Sequence, residues 1–181
     1  MAKTASGFGL RHVAVAARPS TPATPPVWID IPAVTAASFI LEVEEVEQYG
    51  DDQLLGVFYH TQKGMITVTS TKIATDVIAA VTGNAIVTSG AAETLPIGTE
   101  AELIPPRVMV RAVVPVTYED GSAGEEEAVW YNCTVKTAYE SMPGNTRAEI
   151  QNVNLSFRTF RSSQDENGDP LTIAAHGKMT F

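Results

Sequence analysis

Val108, Val110, Ala112, Val114 and Val116 alternate with Arg107, Met109, Arg111, Val113 and Pro115. Successive side chains of a strand point to opposite faces, so apolar residues at every second position predict a strand with one buried face. The same period of two recurs where Val129, Tyr131, Cys133 and Val135 alternate with Trp130, Asn132, Thr134 and Lys136. It recurs again where Phe39, Leu41 and Val43 alternate with Ile40, Glu42 and Glu44. Leu54 to His60 and Met65 to Ser70 read as two further strands joined near Lys63-Gly64. Glu149 to Arg161 puts Val153, Leu155 and Phe157 on one face, and Leu171, Ile173, Ala175, Met179 and Phe181 share a parity. So many half-apolar strands in 181 residues must cover one another. The predicted fold class is mainly β: an antiparallel β-sandwich or barrel, one domain in size.

Residues between the strands carry turn chemistry. Asp120-Gly121 sits inside an acidic loop running from Tyr118 to Glu127, Met142-Pro143-Gly144-Asn145 fits a type II turn, and Asn167-Gly168 turns before Leu171. One flanking α-helix is expected over about 71–83. Ile73, Val77, Ile78 and Val81 lie on one side of it, Ser70 or Thr71 caps its start, and Gly83-Asn84 closes it. Four prolines between Pro19 and Pro26 predict an extended N-terminal arm. Val27-Trp28-Ile29 and Ile31 then read as an edge strand bounded by Pro32. The expected division is arm plus edge strand over 1–37 and one β domain over 38–181.

Charge excludes whole classes of partner. Lys and Arg number 12 against 21 Asp and Glu, a net charge of −9. A reader of nucleic acid needs clustered cations, and so does a protein drawn to anionic lipid. Six acids fall within Glu42–Asp52 and five within Glu119–Glu127, with no Lys or Arg in either stretch. No run approaches 18 apolar residues, so no transmembrane helix is expected, and no apolar segment of a secretory signal follows Met1.

Catalytic constellations are not found. His12, His60 and His176 lack metal-ligand spacing to one another or to the single cysteine, Cys133, whose place on an apolar strand face suits a buried thiol. Asp165-Glu166-Asn167-Gly168-Asp169 departs from the calcium-loop pattern, with Gly at position 4 and His176 at position 12, and reads as a turn. Asn132-Cys133-Thr134 and Asn154-Leu155-Ser156 are glycosylation triplets inside strands, and Gly7-Phe8-Gly9 lacks the third glycine of a dinucleotide loop. No enzyme activity, cofactor or metal site is expected.

Several stretches together resemble a family. Gly9-Leu10-Arg11-His12-Val13-Ala14-Val15 is similar to the opening of the major tail (tail tube) proteins of long non-contractile-tailed bacteriophages, the siphophages. Pro26-Val27-Trp28-Ile29 with Ile31-Pro32-Ala33-Val34 resembles their Pro-Gly-Ala stretch, with Ala33 where glycine stands in the family. Leu41 to Glu45 followed by Tyr49-Gly50-Asp51-Asp52 resembles their acidic strand and aromatic-plus-Asp loop, and Ile73 to Gly83 their single helix. The Phe157 region and a short last strand resemble the family's end. The resemblance implies a tail-tube-like fold. It implies homohexameric rings stacked into a hollow tube that conducts double-stranded DNA during ejection. It also implies tape-measure and tail terminator proteins as partners, and a place in the virion after synthesis in the bacterial host cytoplasm. Another virion part, such as a head decoration or tail terminator protein, is the alternative, and a non-enzymatic β-sandwich binding module is a further one.

Within that reading, Glu42, Glu44, Glu45, Glu47, Asp51, Asp52, Glu125, Glu126 and Glu127 are the candidates for a lumen or acidic loop. Acids repeated around a ring repel phosphate and let DNA slide. Leu54, Leu55, Val57, Phe58, Tyr59 and Trp28 are the candidates for contact between subunits, because the apolar run is hard for one copy to cover.

Overall fold

In a computed structural model, residues 5–7, 12–21, 25–50, 53–89, 92–94, 104–137 and 153–180 are described. Of these, 5–7, 43–50, 53–63, 89, 92–94, 137 and 153 are described by their backbone. The strands are β1 (Ala5–Gly7), β2 (His12–Ala17), β3 (Ile29–Ile31), β4 (Val34–Gly50), β5 (Gln53–Ser70), β6 (Val87–Ser89) and β7 (Ala92–Thr94). After them come β8 (Val108–Tyr118), β9 (Ala123–Thr137), β10 (Val153–Thr159), β11 (Ser162–Gln164), β12 (Pro170–Ala175) and β13 (Gly177–Thr180). The helix α1 (Thr75–Thr82) lies between β5 and β6.

Every strand pair is antiparallel. The main sheet runs β3-β2-β8-β9-β10-β5-β4, with β1 beside β8 and β13 beside β9. Its two end strands are consecutive in the chain, because β3 stops at Ile31 and β4 starts at Val34. Three Cα steps span at most about 11 Å, so the sheet must curl until its edges meet there. Ser70, at the end of β5, pins this corner. Its buried hydroxyl lies 2.5 Å from Pro32 O and accepts the Lys72 N–H at 3.0 Å, while the Thr71 N–H donates to Ala33 O at 3.1 Å.

Among the described residues the class is therefore mainly β with one helix, as the sequence predicts. Val13, Val15, Ile66, Val68, Leu155 and Phe157 fill the core with Val108, Val110, Ala112 and Cys133. Across the register, Val13 faces Ala112 and Val15 faces Val110, so matched parities stack on one face. Both Val77 and Val81 of α1 reach this core, and the helix packs on β2, β3 and β9. Eight residues are too few to hold a helix in water, so that packing sustains it.

Several expectations need correction. The helix begins at Thr75, with Ala74 at its N-cap and no side-chain cap, because Ser70 is committed to the corner. Its end is as expected, with Gly83 at φ 80 donating to Ala79 O at 2.9 Å. Leu54–His60 and Met65–Ser70 are parts of one strand, β5. Gly64 marks a close approach there, not a break: a Cβ would collide with Thr159 Oγ1 of β10. The expected acidic loop is shorter than Tyr118–Glu127, since Gly121 (φ 79) turns the chain and β9 starts at Ala123. Leu171–Phe181 divides at His176 into β12, which pairs with β11, and β13, which pairs with β9. Ile173 and Met179 are exposed instead of sharing a core face.

The parity of β9 also shifts. Val108 is opposite Cys133 and Val110 opposite Trp130, so β9 carries one extra residue between them. This β-bulge turns Cys133 into the core and leaves Val129 and Tyr131 on the other face. Residues 12–37 do not form an arm apart from the 38–181 domain. Strand β2 lies between β3 and β8, and Arg18 donates to Ser162 Oγ and Gln164 Oε1 at 3.1 and 3.0 Å. The Met142–Asn145 turn lies outside the described residues.

Ala33 is exposed with φ 51, a left-handed conformation that costs an L side chain about 1 kcal/mol or more. Ala33→Gly is expected to stabilise the protein by about 0.5–1 kcal/mol after the added freedom of the unfolded chain is counted. A higher urea midpoint with an unchanged slope is the result to look for. A lower midpoint would mean that the corner is not held in this conformation.

Candidate assembly surfaces

The longest strands make one hairpin. β4 and β5 pair from Val34↔Ser70 to Gly50↔Gln53, interrupted by three irregularities. β10 accompanies β5 only from Gly64 to Ser70, so among the described pairings residues 43–50 and 53–62 have only each other. Two strands alone are marginal in water, which makes this extension a segment in need of a partner.

This hairpin unites two groups of candidates that the sequence holds apart. Glu44, Glu45 and Glu47 stand opposite His60, Tyr59 and Val57, and Leu54 and Phe58 stand opposite Tyr49 and Val46. Leu55 lies on the same strand, one residue beyond Leu54. The side chains of these residues lie outside what is described, and so do Asp51 and Asp52 altogether.

Where β4 joins the barrel, its residues from Thr35 to Glu42 are all exposed. Phe39 and Leu41 share the parity of the inner face, yet they remain 39% and 41% accessible; Ile40, on the opposite face, is 52% accessible. Among the described residues β4 pairs only with β5, so its other edge offers unpaired backbone groups between two apolar surfaces. Such an edge invites another strand. Phe39 meets Trp130 with ring centroids 5.3 Å apart, and the two line a hollow of about 300 Å³ with Val114, Glu126 and Met179.

The second acidic group is placed differently from the sequence expectation. Glu125, Glu126 and Glu127 lie in β9, opposite Pro115, Val114 and Val113. Glu127 pairs with Arg111 at 3.7 Å, and the Arg111 guanidinium lies 4.7 Å from the centre of the Trp28 ring. Trp28 is thus partly covered within its own chain. Glu42 is exposed and lines a groove of about 410 Å³ with Met65, Lys136, Arg158 and Phe160.

Groups with chemical potential are tied to structure. Burial pushes the Cys133 thiol up to about 12, so it stays protonated at neutral pH. His176 is held below its ordinary value, first by burial and then by Arg161, and its Nδ1 lies 3.0 Å from Thr159 Oγ1. Asp165 Oδ1 accepts the N–H groups of Asn167 and Asp169 at 2.8 and 2.9 Å, which closes the turn. Among the described residues no three His, Cys, Asp or Glu side chains gather as metal ligands, and no helix is long and apolar enough to cross a membrane.

No family model matches the sequence, and no curated protein sequence matches it. A solved structure described as a crystal structure of Hcp protein is similar over 94% of this chain and 99% of its own. The identity is 11% and the TM-score 0.38.

Proposed function

We propose that the protein is a structural subunit that assembles with copies of itself, edge to edge, into rings that stack as a hollow tail tube. The observation that carries this reading is β4: 17 residues long, paired on one side, and apolar on both faces where it leaves the barrel. Joining β4 to a strand of the next copy satisfies its backbone and covers Phe39, Ile40 and Leu41 together. Closure around a ring then removes the last free edge.

The resemblance to siphophage tail tube proteins supplies the finer terms of the proposal. They are six copies per ring, a tape-measure protein in the lumen before DNA, a terminator protein at the end, and a place in the virion. The acidic balance of the chain, a net charge of −9, suits a passage through which DNA moves without being held. The work is mechanical, and the proposal includes no catalytic step.

Negative-stain microscopy of the purified full-length protein, over a range of concentrations, tests this. Six-fold rings and hollow tubes are expected. Single rings that never stack would point to a terminator, and monomers at every concentration would overturn self-assembly altogether.

A further inference from the structure

Arg107, Lys136 and Arg158 are exposed, and they come from the residue before β8, from β9 and from β10. Phe160 gathers two of them. The Arg107 guanidinium lies 4.3 Å from its ring centre and that of Arg158 lies 5.8 Å away. Lys136, Arg158 and Phe160 line the groove of about 410 Å³ on the outer face of the barrel, with Glu42 of the same chain at its wall. None of these three cations forms an ion pair among the described residues, whereas Arg111 and Lys178 each have a glutamate. In a chain of net charge −9, two guanidinium groups on one ring with Lys136 in the same groove form a site for carboxylates. Guanidinium groups stacked on an aromatic face are already ordered and keep their N–H donors for a planar anion.

We propose that this groove receives the acidic β4–β5 hairpin of a second copy of the chain. The proposal rests on the tube reading and names the contact that joins its subunits. Beyond Glu42, β4 carries Glu44, Glu45 and Glu47, and no Lys or Arg lies between Glu42 and Asp52. Its ladder leads roughly 25 Å away from its own groove, at about 3.3 Å for each residue from 43 to 50. The part of the hairpin beyond residue 43 and the groove at its base are different surfaces, so each copy offers one and accepts one. That heterologous contact closes into a ring or continues as an open assembly. Because the contact is ionic and partly exposed, it weakens as salt rises.

Charge reversal with complementation tests the pairing. One variant carries Arg107→Glu, Lys136→Glu and Arg158→Glu; the other carries Glu44→Lys, Glu45→Lys and Glu47→Lys. Sedimentation velocity of each full-length variant is expected to place its assembly midpoint at a concentration at least about tenfold above that of the unaltered protein. An equimolar mixture is expected to recover assembly, with the two variants in the same particles. If a reversal fails to fold by circular dichroism, Lys136→Gln with Arg158→Gln is expected to weaken assembly in the same direction by a smaller factor. Rings from both variants at the normal midpoint would overturn this contact and leave the tube reading standing. So would a groove variant that assembles normally but has lost binding to a short fluorescent DNA duplex, which would make the groove a polyanion site. An unaltered protein that never assembles would overturn both.

Discussion

Deleting residues 1–17 is expected to unfold the protein, not to free a domain from an arm. Strand β2 occupies the sheet between β3 and β8, and it pairs with β8 from His12↔Val113 to Ala17↔Val108. Val13, Ala14, Val15 and Ala16 have no accessible surface, which means that both faces of the strand are covered. Burying the two valines alone contributes about 3–6 kcal/mol, from roughly 1.5–3 for each side chain. Net stability of a domain is of the order of 5–15 kcal/mol. The deletion also strips the pairing partner from β3 and part of the floor from α1, so the losses compound. Loss of cooperative thermal unfolding and rapid cleavage by a nonspecific protease are the expected readouts. A truncated chain that melts like the full-length one would show that β2 is dispensable and that the sheet order is different.

The same strand shows why the sequence is only partly legible. A continuous apolar run such as Val13–Ala17 fits a strand buried on both faces, but the prolines after it favour an extended segment. Only the pairing with β8 decides between the two. Where one face is buried, alternation is a sufficient guide, as at Leu155 and Phe157. It fails across the bulge in β9, because one inserted residue exchanges the faces and nothing in Tyr131-Asn132-Cys133 announces it. It fails again at Gly64, where glycine answers a crowding from Thr159 that lies far along the chain. The length of the hairpin is hidden for another reason. Its ladder is set by backbone pairing, while acids interrupt the apolar pattern that marks a strand. The groove has no linear signature at all, since Arg107, Lys136 and Arg158 meet only through the register of the sheet.

Replacing residues 44–59 with a tight two-residue turn is expected to leave a folded barrel that no longer assembles. The described core draws on Ile66 and Val68 of β5 and on Val34 of β4, all on the barrel side of the excised segment. The corner at Ser70, the β5–β10 ladder and α1 remain intact. The thermal midpoint should therefore shift by no more than about 4 °C. Assembly should suffer far more. The excised segment holds most of the acidic stretch and the whole apolar run Leu54-Leu55-Gly56-Val57-Phe58-Tyr59. Losing contacts of hot-spot strength, about 2 kcal/mol or more, moves an assembly midpoint by a factor of about thirty or more. Sedimentation and electron microscopy of the shortened protein separate the possible outcomes. Rings at the usual concentration would remove the hairpin from the subunit contact, and an unfolded product would make it part of the barrel's own stability. A cooperative melt combined with a monomeric particle is the result that ties the long hairpin to assembly and the short strands to the fold.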